Sequence, residues 1–371
     1  MASKDLKMKI ALVYDRVNKI GGAERILTAL HEIWPEAPLY TAVYNKETAS
    51  WADDFDVKTS FLQNFPFAKT HHEFFMPIAP LAFESFNFND YDVVISITSA
   101  EAKGIITGPK TLHVCYCLTP TRYLWSSTWE YPIPFFLRPI MTKIRCWDYV
   151  AAQRPDVYLA ISNCVAGRIK KYYRREAKVI YPPVDLEKWE VGREKWEVGD
   201  YFLVVSRLVP YKRIDIAIEA FNELKLPLKI IGIGTEEKKL KRMAKGNIEF
   251  LGQLTDKEVL SYYQKCKAVV FPQDEDFGLV PLEAQTCGKP VIAYKGGGAL
   301  ETIVEGSTGE FFYPQESGAL KEKIRQFDAL KYKKEFCIRE AGKFDKIAFL
   351  KKFKEFVEEE WKNYLKNISM S

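Results

Sequence analysis

Two pairs of charged residues in the second half of the chain have the spacing of a ligand site. Glu275 and Glu283 lie eight positions apart in the run EDFGLVPLE, and Arg207 and Lys212 lie five apart in SRLVPYK. Carboxylates can accept hydrogen bonds from sugar hydroxyls. The two cations can neutralise two phosphates, because arginine offers a planar fork and lysine a point charge. Together the pairs predict a site for a ligand that carries both a sugar and a diphosphate.

The acidic pair falls where a strand, a loop and a helix are predicted to follow one another. The apolar run 268–272 predicts a buried strand, and Pro281 predicts the first turn of a helix that Gly288 ends. Glu275 is then expected in the loop and Glu283 on the helix. The alternative for both residues is an ordinary solvated carboxylate.

The start of that helix adds a second expected contribution. The residues Phe277, Gly278 and Leu279 come just before its predicted first turn. A helix N-terminus carries roughly half a positive charge and binds phosphate readily. The backbone N–H groups of these three residues are therefore expected to face the gap between the two carboxylates.

The basic pair follows the apolar strand predicted over 201–205. Arg207 is expected in the loop after this strand, and Lys212 in the first turn of a helix predicted over 212–224. Taken alone, each cation would be interpreted as a surface charge. The joint placement of the four charged groups beside two predicted strands favours a site.

These elements resemble those of glycosyltransferase family 4 (group 1), whose members are retaining transferases of the GT-B fold. The resemblance is carried by the Arg-x4-Lys element, the E-x7-E element with its internal F-G-x-x-P, GGGALETIVEGSTG at 296–309, GGAER at 21–25 and YPPVD at 181–185. It is strong in the second half of the chain and moderate in the first. It implies that Arg207 and Lys212 hold the donor diphosphate, that Glu283 bonds the ribose, and that Glu275 bonds the transferred sugar. Glu275, Arg207 and Lys212 are then the expected catalytic residues.

The resemblance extends the expected donor site to three further residues. Gly22, after the first strand, would touch donor phosphate or acceptor, with a structural turn as the alternative. Gly234 would let the backbone approach the nucleotide, because Gly232-Ile233-Gly234 lacks the third glycine of a dinucleotide fingerprint. Leu254 is expected to border the base.

The first half of the chain is expected to bind the acceptor. Its segment HVCYCLTPTRYLW resembles a family loop at Thr119, Arg122 and Tyr123, but Leu118 stands where relatives commonly carry a histidine. Leucine supplies neither a hydrogen bond nor a charge, so either the donor is handled differently or turnover is impaired. Asp15, just after the first strand, is expected either to orient an acceptor hydroxyl or to cap a turn.

Short apolar strands alternate with helical segments along the chain, which predicts an α/β protein with parallel sheets. Strands are predicted at 9–14, 39–43, 93–97, 111–115, 157–161, 201–205, 228–231, 248–251, 268–271 and 291–293. The resemblance implies the GT-B fold, two Rossmann-like domains facing a central cleft. We expect an acceptor-binding domain at 1–184, a nucleotide-sugar-binding domain at 185–346, and a C-terminal helix at 347–371 that crosses back to the first domain.

The composition fits a cytoplasmic enzyme of two globular domains. The chain has 371 residues, of which 47% are hydrophobic and 28% charged, which excludes a disordered protein. Its seven cysteines are scattered, and Cys115 and Cys117 fit alternate positions of a strand, so neither disulfides nor a metal site are expected. No signal-peptide pattern and no uninterrupted apolar run of about eighteen residues is found. No cofactor is expected beside the donor substrate.

A membrane-associated location is a further hypothesis. Aromatic and basic residues crowd the segments 61–88 and 123–147, and the formal net charge is +5. Such a mixture suits the interface of an anionic membrane, although helices packed under the first domain are the alternative. The expected partners are a nucleoside-diphosphate sugar, a glycan or lipid-linked acceptor, and the inner face of a membrane, without nucleic acid.

The resemblance implies transfer of a hexose from a nucleoside-diphosphate sugar to such an acceptor, as in polysaccharide biosynthesis. The C-x-T-P-x-R-Y-x-W pattern favours mannose, with GDP-mannose as the donor and UDP-sugars as the next candidates. Two alternatives stay open. The chain could be a nucleotide-sugar epimerase or hydrolase of the same fold, or a catalytically impaired nucleotide-sugar-binding protein.

Overall fold

The apolar segments predicted as strands assemble into two separate parallel sheets, as a computed structural model of the protein shows. The structure describes residues 8–19, 21–126, 134, 138–189 and 199–370. The chain divides into a first unit, residues 1–183 with 347–371, and a second unit, residues 184–346. Each unit contains one sheet with helices between its strands.

The first unit contains a seven-stranded sheet in the order β3-β2-β1-β4-β5-β6-β7. Its strands are β1 (Ile10–Tyr14), β2 (Leu39–Thr41), β3 (Val57–Thr59), β4 (Val93–Thr98), β5 (Leu112–Cys117), β6 (Val157–Ala160) and β7 (Lys178–Val179). Its first four α-helices are α1 (Gly22–Ile33), α2 (Ala79–Glu84), α3 (Arg138–Ala151) and α4 (Asn163–Tyr173). The central strand β4 is buried along its whole length, as expected for a parallel sheet covered on both faces.

The second unit contains a six-stranded sheet in the order β10-β9-β8-β11-β12-β13. Its strands are β8 (Phe202–Val205), β9 (Leu228–Ile231), β10 (Ile248–Gly252), β11 (Ala268–Phe271), β12 (Val291–Tyr294) and β13 (Gly309–Phe312). Its α-helices are α5 (Leu186–Trp189), α6 (Ile214–Leu224), α7 (Glu237–Met243), α8 (Asp256–Lys265), α9 (Leu279–Thr286), α10 (Ala299–Thr302), α11 (Ser317–Gln326) and α12 (Lys334–Ala341). Strand β11 and helix α6 contribute to one apolar core, which includes Val270 and Phe221.

The last helix, α13 (Lys346–Met370), packs against the first unit although it follows the second in the chain. Phe353, in its first half, is fully buried, with its ring centroid 5.3 Å from that of Tyr116 in β5 and 6.2 Å from that of Trp34. The Tyr364 hydroxyl donates to the Pro109 carbonyl at 3.1 Å. These contacts make α13 part of the first unit's fold.

In each sheet the strand order reverses at one point, between β1 and β4 in the first and between β8 and β11 in the second. At such a switch point the loops after the two neighbouring strands leave toward opposite faces of the sheet and open a crevice at their carboxyl ends. Open parallel sheets bind ligands there. The two switch points are therefore the places in this fold at which a site is expected.

The structure also departs from the prediction in two respects. Strands β3, β7 and β13, which the sequence did not predict, all lie at sheet edges. The helix predicted from Lys212 begins instead at Ile214. Lys212 ends a short 3-10 turn, and Arg213 separates it from α6 with a left-handed φ of 51°.

Candidate active site

The switch point of the second sheet brings three of the four predicted charged residues to neighbouring strands. β8 and β11 pair directly, with Leu203 opposite Val269. Arg207 and Lys212 follow β8, and Glu275 follows β11. Glu275 lies more than 60 positions after Arg207 and Lys212 in the sequence. The pairing of β8 with β11 places the loops that carry these residues at the same edge of the sheet.

Lys212 and Glu275 form an ion pair between the ammonium nitrogen and Oε1. Their side chains are 10% and 20% exposed, so the pair is neither fully solvated nor sealed in the core. Water screens charges at this burial less than charges on an open surface, so each charge acts more strongly on a nearby ligand. The lysine of the pair can therefore act strongly on an anionic ligand.

Tyr211 connects this pair to Arg207, a link that the sequence analysis missed. The Arg207 guanidinium donates to the Tyr211 hydroxyl at 2.6 Å, and the Lys212 ammonium lies 5.0 Å from the centre of the Tyr211 ring. The arginine itself is exposed. One aromatic side chain thus orients both cations toward the same region.

Glycines hold the Arg207 loop in place. A Cβ at Gly232 would collide with the Ser206 carbonyl, and one at Gly234 with the Leu208 carbonyl. In addition, Leu208 donates its backbone N–H to the Ile233 carbonyl at 2.9 Å. Gly234 therefore lies close to the loop that carries Arg207, and the approach of its backbone to a nucleotide stays a prediction.

A second set of glycines holds the Glu275 loop. The Gly298 N–H donates to the Glu275 carbonyl at 2.8 Å. A side chain at Gly297, whose φ is +55°, would collide with that same carbonyl, and one at Gly298 would collide with the Phe277 backbone. The sequence signal for this support was the run of three glycines at 296–298, which the sequence analysis noted only as a family motif.

Helix α9 begins at Leu279, one turn beyond Glu275. Gly278 adopts a left-handed φ of +87°, which a residue with a side chain rarely accepts. The buried ring of Phe277 packs edge-on against Phe344 at 5.7 Å between centroids. The backbone of 277–279 thus forms the N-terminus of α9, directly after the loop that carries Glu275. The packing of Phe277 against Phe344 holds this backbone in position.

Glu283 lies on α9, as predicted, but it is buried. It is 4% exposed, and its Oε2 accepts from the Tyr263 hydroxyl at 3.0 Å. Leu254, the predicted neighbour of the base, is half-buried just after β10, where the Gly252 carbonyl accepts from the Gly232 N–H at 2.7 Å.

Gln273 is a further polar residue at the carboxyl end of β11 that sequence reasoning passed over. It is 2% exposed, and within the described part of the chain its Oε1 has no hydrogen-bond partner. A buried carboxamide oxygen without a partner is costly, and such groups call for an explanation. The only signal in the sequence was its position between β11 and Glu275.

The switch point of the first sheet is filled by the protein's own hydrogen bonds. Asp15 is 4% exposed. One of its oxygens accepts from the Thr98 hydroxyl and the Ala102 N–H, and the other from the Ser99 N–H, all at 2.8 Å. Burial, together with the charge of Glu101, raises the pKa of Asp15. Of the two expected roles, this geometry is that of a carboxylate that caps the turn after β4.

Glu101 continues this network to Tyr123, one of the predicted acceptor residues. Its Oε2 accepts from Arg16 and its Oε1 from the Tyr123 hydroxyl, both at 2.6 Å. Burial, with the nearby Glu101 charge, raises the pKa of Tyr123 well above its usual value. Tyr123 therefore acts as a hydrogen-bond donor that fastens the segment 119–125.

The other predicted residues of the first unit are more open or lack a partner. Arg122 is half-buried. Thr119 is 5% exposed, and among the described residues its hydroxyl has no hydrogen-bond partner. Gly22 begins α1, one residue after the extended cap Gly21. Leu118 is half-buried directly after β5, with its N–H donated to the Thr98 carbonyl at 2.8 Å.

His113, inside β5, is a packed residue, as its position in a strand suggests. It is fully buried, with Nε2 at 2.8 Å from the Ser96 hydroxyl, and burial lowers its pKa to about 3. It is neutral at physiological pH. No helix in the described ranges is both long and apolar enough to cross a membrane.

The second half of the chain is similar in sequence to known glycosyltransferases. Residues 187–344 match the family model Glycosyl transferases group 1. An uncharacterised glycosyltransferase of Methanocaldococcus jannaschii is 33% identical over 181 residues, which cover 47% of this chain and 50% of that protein. The O-antigen chain mannosyltransferase C of Escherichia coli is 30% identical over 195 residues, covering 48% of this chain and 50% of that protein. The chain therefore spans about half the length of these two curated relatives.

Among solved structures, Anabaena HepE in complex with UDP-glucose is similar over nearly the whole chain. The TM-score is 0.72 at 21% identity, and the match covers 95% of this chain and 100% of that one. A likeness at this identity concerns the fold. The expected GT-B fold, with two Rossmann-like parallel sheets, is confirmed.

Proposed function

We propose that the chain is a retaining hexosyltransferase, because residues 187–344 match the family model Glycosyl transferases group 1 and the chain has the GT-B fold. It would move a hexose from a nucleoside-diphosphate sugar to a glycan or lipid-linked acceptor. The observation that carries this proposal is the partly exposed Lys212–Glu275 pair at the second switch point, with Arg207 joined to it through Tyr211.

The donor diphosphate would bind to Arg207 and Lys212. An ammonium group has three donors, so the bond to Glu275 does not by itself prevent Lys212 from donating to a phosphate oxygen. Glu275, held beside the phosphate in this way, would accept hydroxyls of the transferred sugar. The N–H groups at 277–279 would add the positive end of α9. Glu283, whose carboxylate is oriented by Tyr263, would accept ribose hydroxyls, and Leu254 would border the base.

Catalysis would come from charge stabilisation during departure of the leaving group. As the bond to the anomeric carbon breaks, negative charge develops on the β-phosphate and the sugar becomes oxocarbenium-like. Preorganised cations stabilise that charge without further reorganisation, and one such donor is typically worth on the order of a hundredfold in rate. The acceptor hydroxyl would attack from the face that the diphosphate leaves, and a diphosphate oxygen would take its proton. The configuration at the anomeric carbon is then retained.

The acceptor would bind to the first unit through Thr119 and Arg122. The buried Thr119 hydroxyl has no partner among the described residues, which suits a group that bonds a ligand. Asp15 and Tyr123 would act indirectly, because their polar atoms bond to the turn after β4 and to Glu101. Gly22, at the start of α1, would contact donor phosphate or acceptor.

Mannose is the sugar that we favour, with GDP-mannose as donor, in the synthesis of a polysaccharide. Support comes from the O-antigen chain mannosyltransferase among the relatives, whereas the HepE complex contains UDP-glucose. We further propose that the protein is cytoplasmic and works as a peripheral protein on the inner face of a membrane, where a lipid-linked acceptor would be found. No metal or organic cofactor is part of the proposal.

A panel of nucleotide-sugars tests the proposal directly. Purified protein is incubated with GDP-mannose, UDP-glucose and related donors, and nucleoside-diphosphate release is measured with and without glycan and lipid-linked acceptors. A transferase releases diphosphate with one donor and only with an acceptor present. Release or isomerisation without acceptor would identify a hydrolase or an epimerase instead. Binding by calorimetry without turnover would identify a nucleotide-sugar-binding protein.

Leu118 is the specific observation that favours the last of these alternatives. Its side chain follows β5 at the position where the family resemblance implies a histidine, and it offers no hydrogen bond. We expect Leu118→His to raise turnover with the preferred donor, because the imidazole would supply a missing contact. Leu118→Gln serves as the uncharged comparison. Unchanged or lower turnover in Leu118→His would argue against a lost donor contact.

A further inference from the structure

The first unit exposes a row of neighbouring aromatic side chains, Phe67, His71 and Phe74, named here the aromatic ridge. The ring centroids of Phe67 and His71 are 6.4 Å apart, and those of His71 and Phe74 are 6.2 Å apart. Phe67 and Phe74 are 75% and 79% exposed. Single exposed apolar residues are ordinary, but neighbouring rings that protrude together mark an interaction surface.

The backbone at Phe67 is strained, and this strained turn presents the rings to solvent. Phe67 has a φ of 63°, the left-handed region that a bulky residue rarely adopts. The turn is fixed because the Phe67 carbonyl accepts from the His71 N–H at 2.8 Å, while the next residue, Ala68, is buried in the core. Strained backbone persists where the surrounding structure determines it, and it clusters at functional positions. The ridge is thus built into the fold, and its rings gain little burial within the chain.

Helix α3 adjoins the ridge and adds positive charge. Met76, two residues after Phe74, packs against the buried cluster that Met141 and Ile144 of α3 form with Leu124. The exposed residues of α3 are Arg138, Pro139, Ile140, Thr142, Lys143, Cys146, Tyr149 and Val150. They include cations and apolar side chains but no carboxylate, because Asp148, the acidic residue of this helix, is 2% exposed and bonded to Lys103. An outward face of this composition suits the interface of an anionic bilayer.

We infer that the aromatic ridge and the outward face of α3 form a docking surface for an anionic lipid bilayer. Phe67 and Phe74 would enter the interfacial region, where aromatic rings are favoured, and Arg138 and Lys143 would contact lipid phosphates. The inference names the surface for the peripheral contact proposed above and rests on that part of the proposed function. The absence of acidic residues among the exposed positions of α3 favours lipid over a protein partner, which would commonly present both signs of charge.

Vesicle co-sedimentation with the full chain tests this surface. Vesicles of phosphatidylcholine with phosphatidylglycerol should bind the protein, and vesicles of phosphatidylcholine alone should bind it much less. The double variant Phe67→Asn/Phe74→Ser should bind anionic vesicles at least about tenfold more weakly, because two rings no longer enter the interface. Asparagine tolerates the left-handed backbone at 67, so this variant should fold. Lys143→Glu should weaken binding at about 0.1 M salt and show a smaller deficit at about 1 M, where charges are screened.

The matched controls lie on the second unit. Leu330→Ser removes a side chain that is 76% exposed, and Lys331→Glu reverses an exposed neighbouring charge. Neither should alter vesicle binding. Three outcomes would overturn the inference: no binding of wild-type protein to anionic vesicles, equal binding by the ridge variant, or concentration-dependent self-association that the ridge variant abolishes. Donor binding by calorimetry is measured on the same samples, so that loss of the docking surface is distinguished from failure of the proposed transferase function.

Discussion

The two switch points of this molecule are built from similar residues and use them in opposite ways. At β8 and β11, Lys212 and Glu275 bond to each other with side chains 10% and 20% exposed. At β1 and β4, Asp15 and Glu101 are 4% and 2% exposed, and their oxygens accept from the protein's own donors. The charged groups after β8 and β11 stay partly exposed to solvent. The carboxylates at β1 and β4 are buried and hold a turn through their hydrogen bonds. A charged residue at a switch point therefore indicates a ligand site more clearly when its side chain stays partly exposed than when it is buried among the protein's own donors.

The largest effect expected from this difference is on stability at the first switch point. Asp15→Ala would leave the Ser99 and Ala102 N–H groups and the Thr98 hydroxyl without their acceptor in a buried place. We expect the free energy of unfolding to fall by about 3 kcal/mol, measured by urea denaturation. Asp15→Asn, which keeps one acceptor oxygen, should lose less. A loss below about 1 kcal/mol for Asp15→Ala would mean that the turn does not depend on the carboxylate.

At the second switch point the corresponding change should act on turnover. Lys212→Ala removes a cation that would stabilise the leaving diphosphate, so we expect kcat/KM to fall on the order of a hundredfold while the free energy of unfolding falls less than in Asp15→Ala. The control is Lys229→Ala, which breaks an exposed pair with Glu249 elsewhere in the same unit. Wild-type turnover in Lys212→Ala, or equal losses in both variants, would remove the distinction between the two switch points.

The glycine support of the Glu275 loop gives a smaller expected effect. Gly297→Ala would place a Cβ against the Glu275 carbonyl in a backbone with φ +55°, so the loop must shift. We expect about a tenfold fall in kcat/KM, since displacements of about 1 Å at a reacting group are costly. Gly318→Ala, in α11, meets no atom within 4 Å and should leave kcat/KM unchanged. If Gly297→Ala were equally silent, the position of this loop would not matter for turnover.

The smallest expected effect is that of Tyr211→Phe at the second switch point. It removes the hydroxyl that accepts from Arg207 but keeps the ring beside the Lys212 ammonium. Loss of one partly exposed hydrogen bond is worth about 1 kcal/mol, so we expect roughly a fivefold fall in donor affinity by calorimetry. Tyr262→Phe, in α8, provides a comparison at another tyrosine of the second unit. No change in Tyr211→Phe would show that Arg207 needs no orientation by its neighbour.

The sequence predicted the buried centre of each sheet better than its edges. Segments such as Ala268–Phe271 and Phe202–Val205 are continuous apolar runs, and strands β11 and β8 form there. The missed strands β3, β7 and β13 lie at sheet edges, where polar residues are tolerated, and they read VKT, KV and GEFF. An edge strand is specified largely by the neighbour with which it pairs, and short-range patterns do not contain that information.

The sequence predicted which residues belong to the site. It did not predict the contacts between them, because these contacts depend on the order of the strands in the sheet. The strands that carry Lys212 and Glu275 were identified from their apolar runs, but the ion pair depends on β8 lying beside β11. The contact of Gly298 with the Glu275 loop likewise joins segments that only the order of the strands brings together. Asp15 offered two interpretations from sequence because its hydrogen-bond partners, such as Ala102, are more than eighty residues away.

The return of α13 to the first unit has a consequence for how the protein is made. A ribosome releases the strands of the first sheet early, but Phe353, which covers Tyr116 and Trp34, emerges only after the entire second unit has been synthesised. During that interval the nascent first unit lacks one of its packing helices and exposes the apolar surface that α13 later buries. Chaperone engagement during translation should therefore persist until the last turns of the chain leave the exit tunnel.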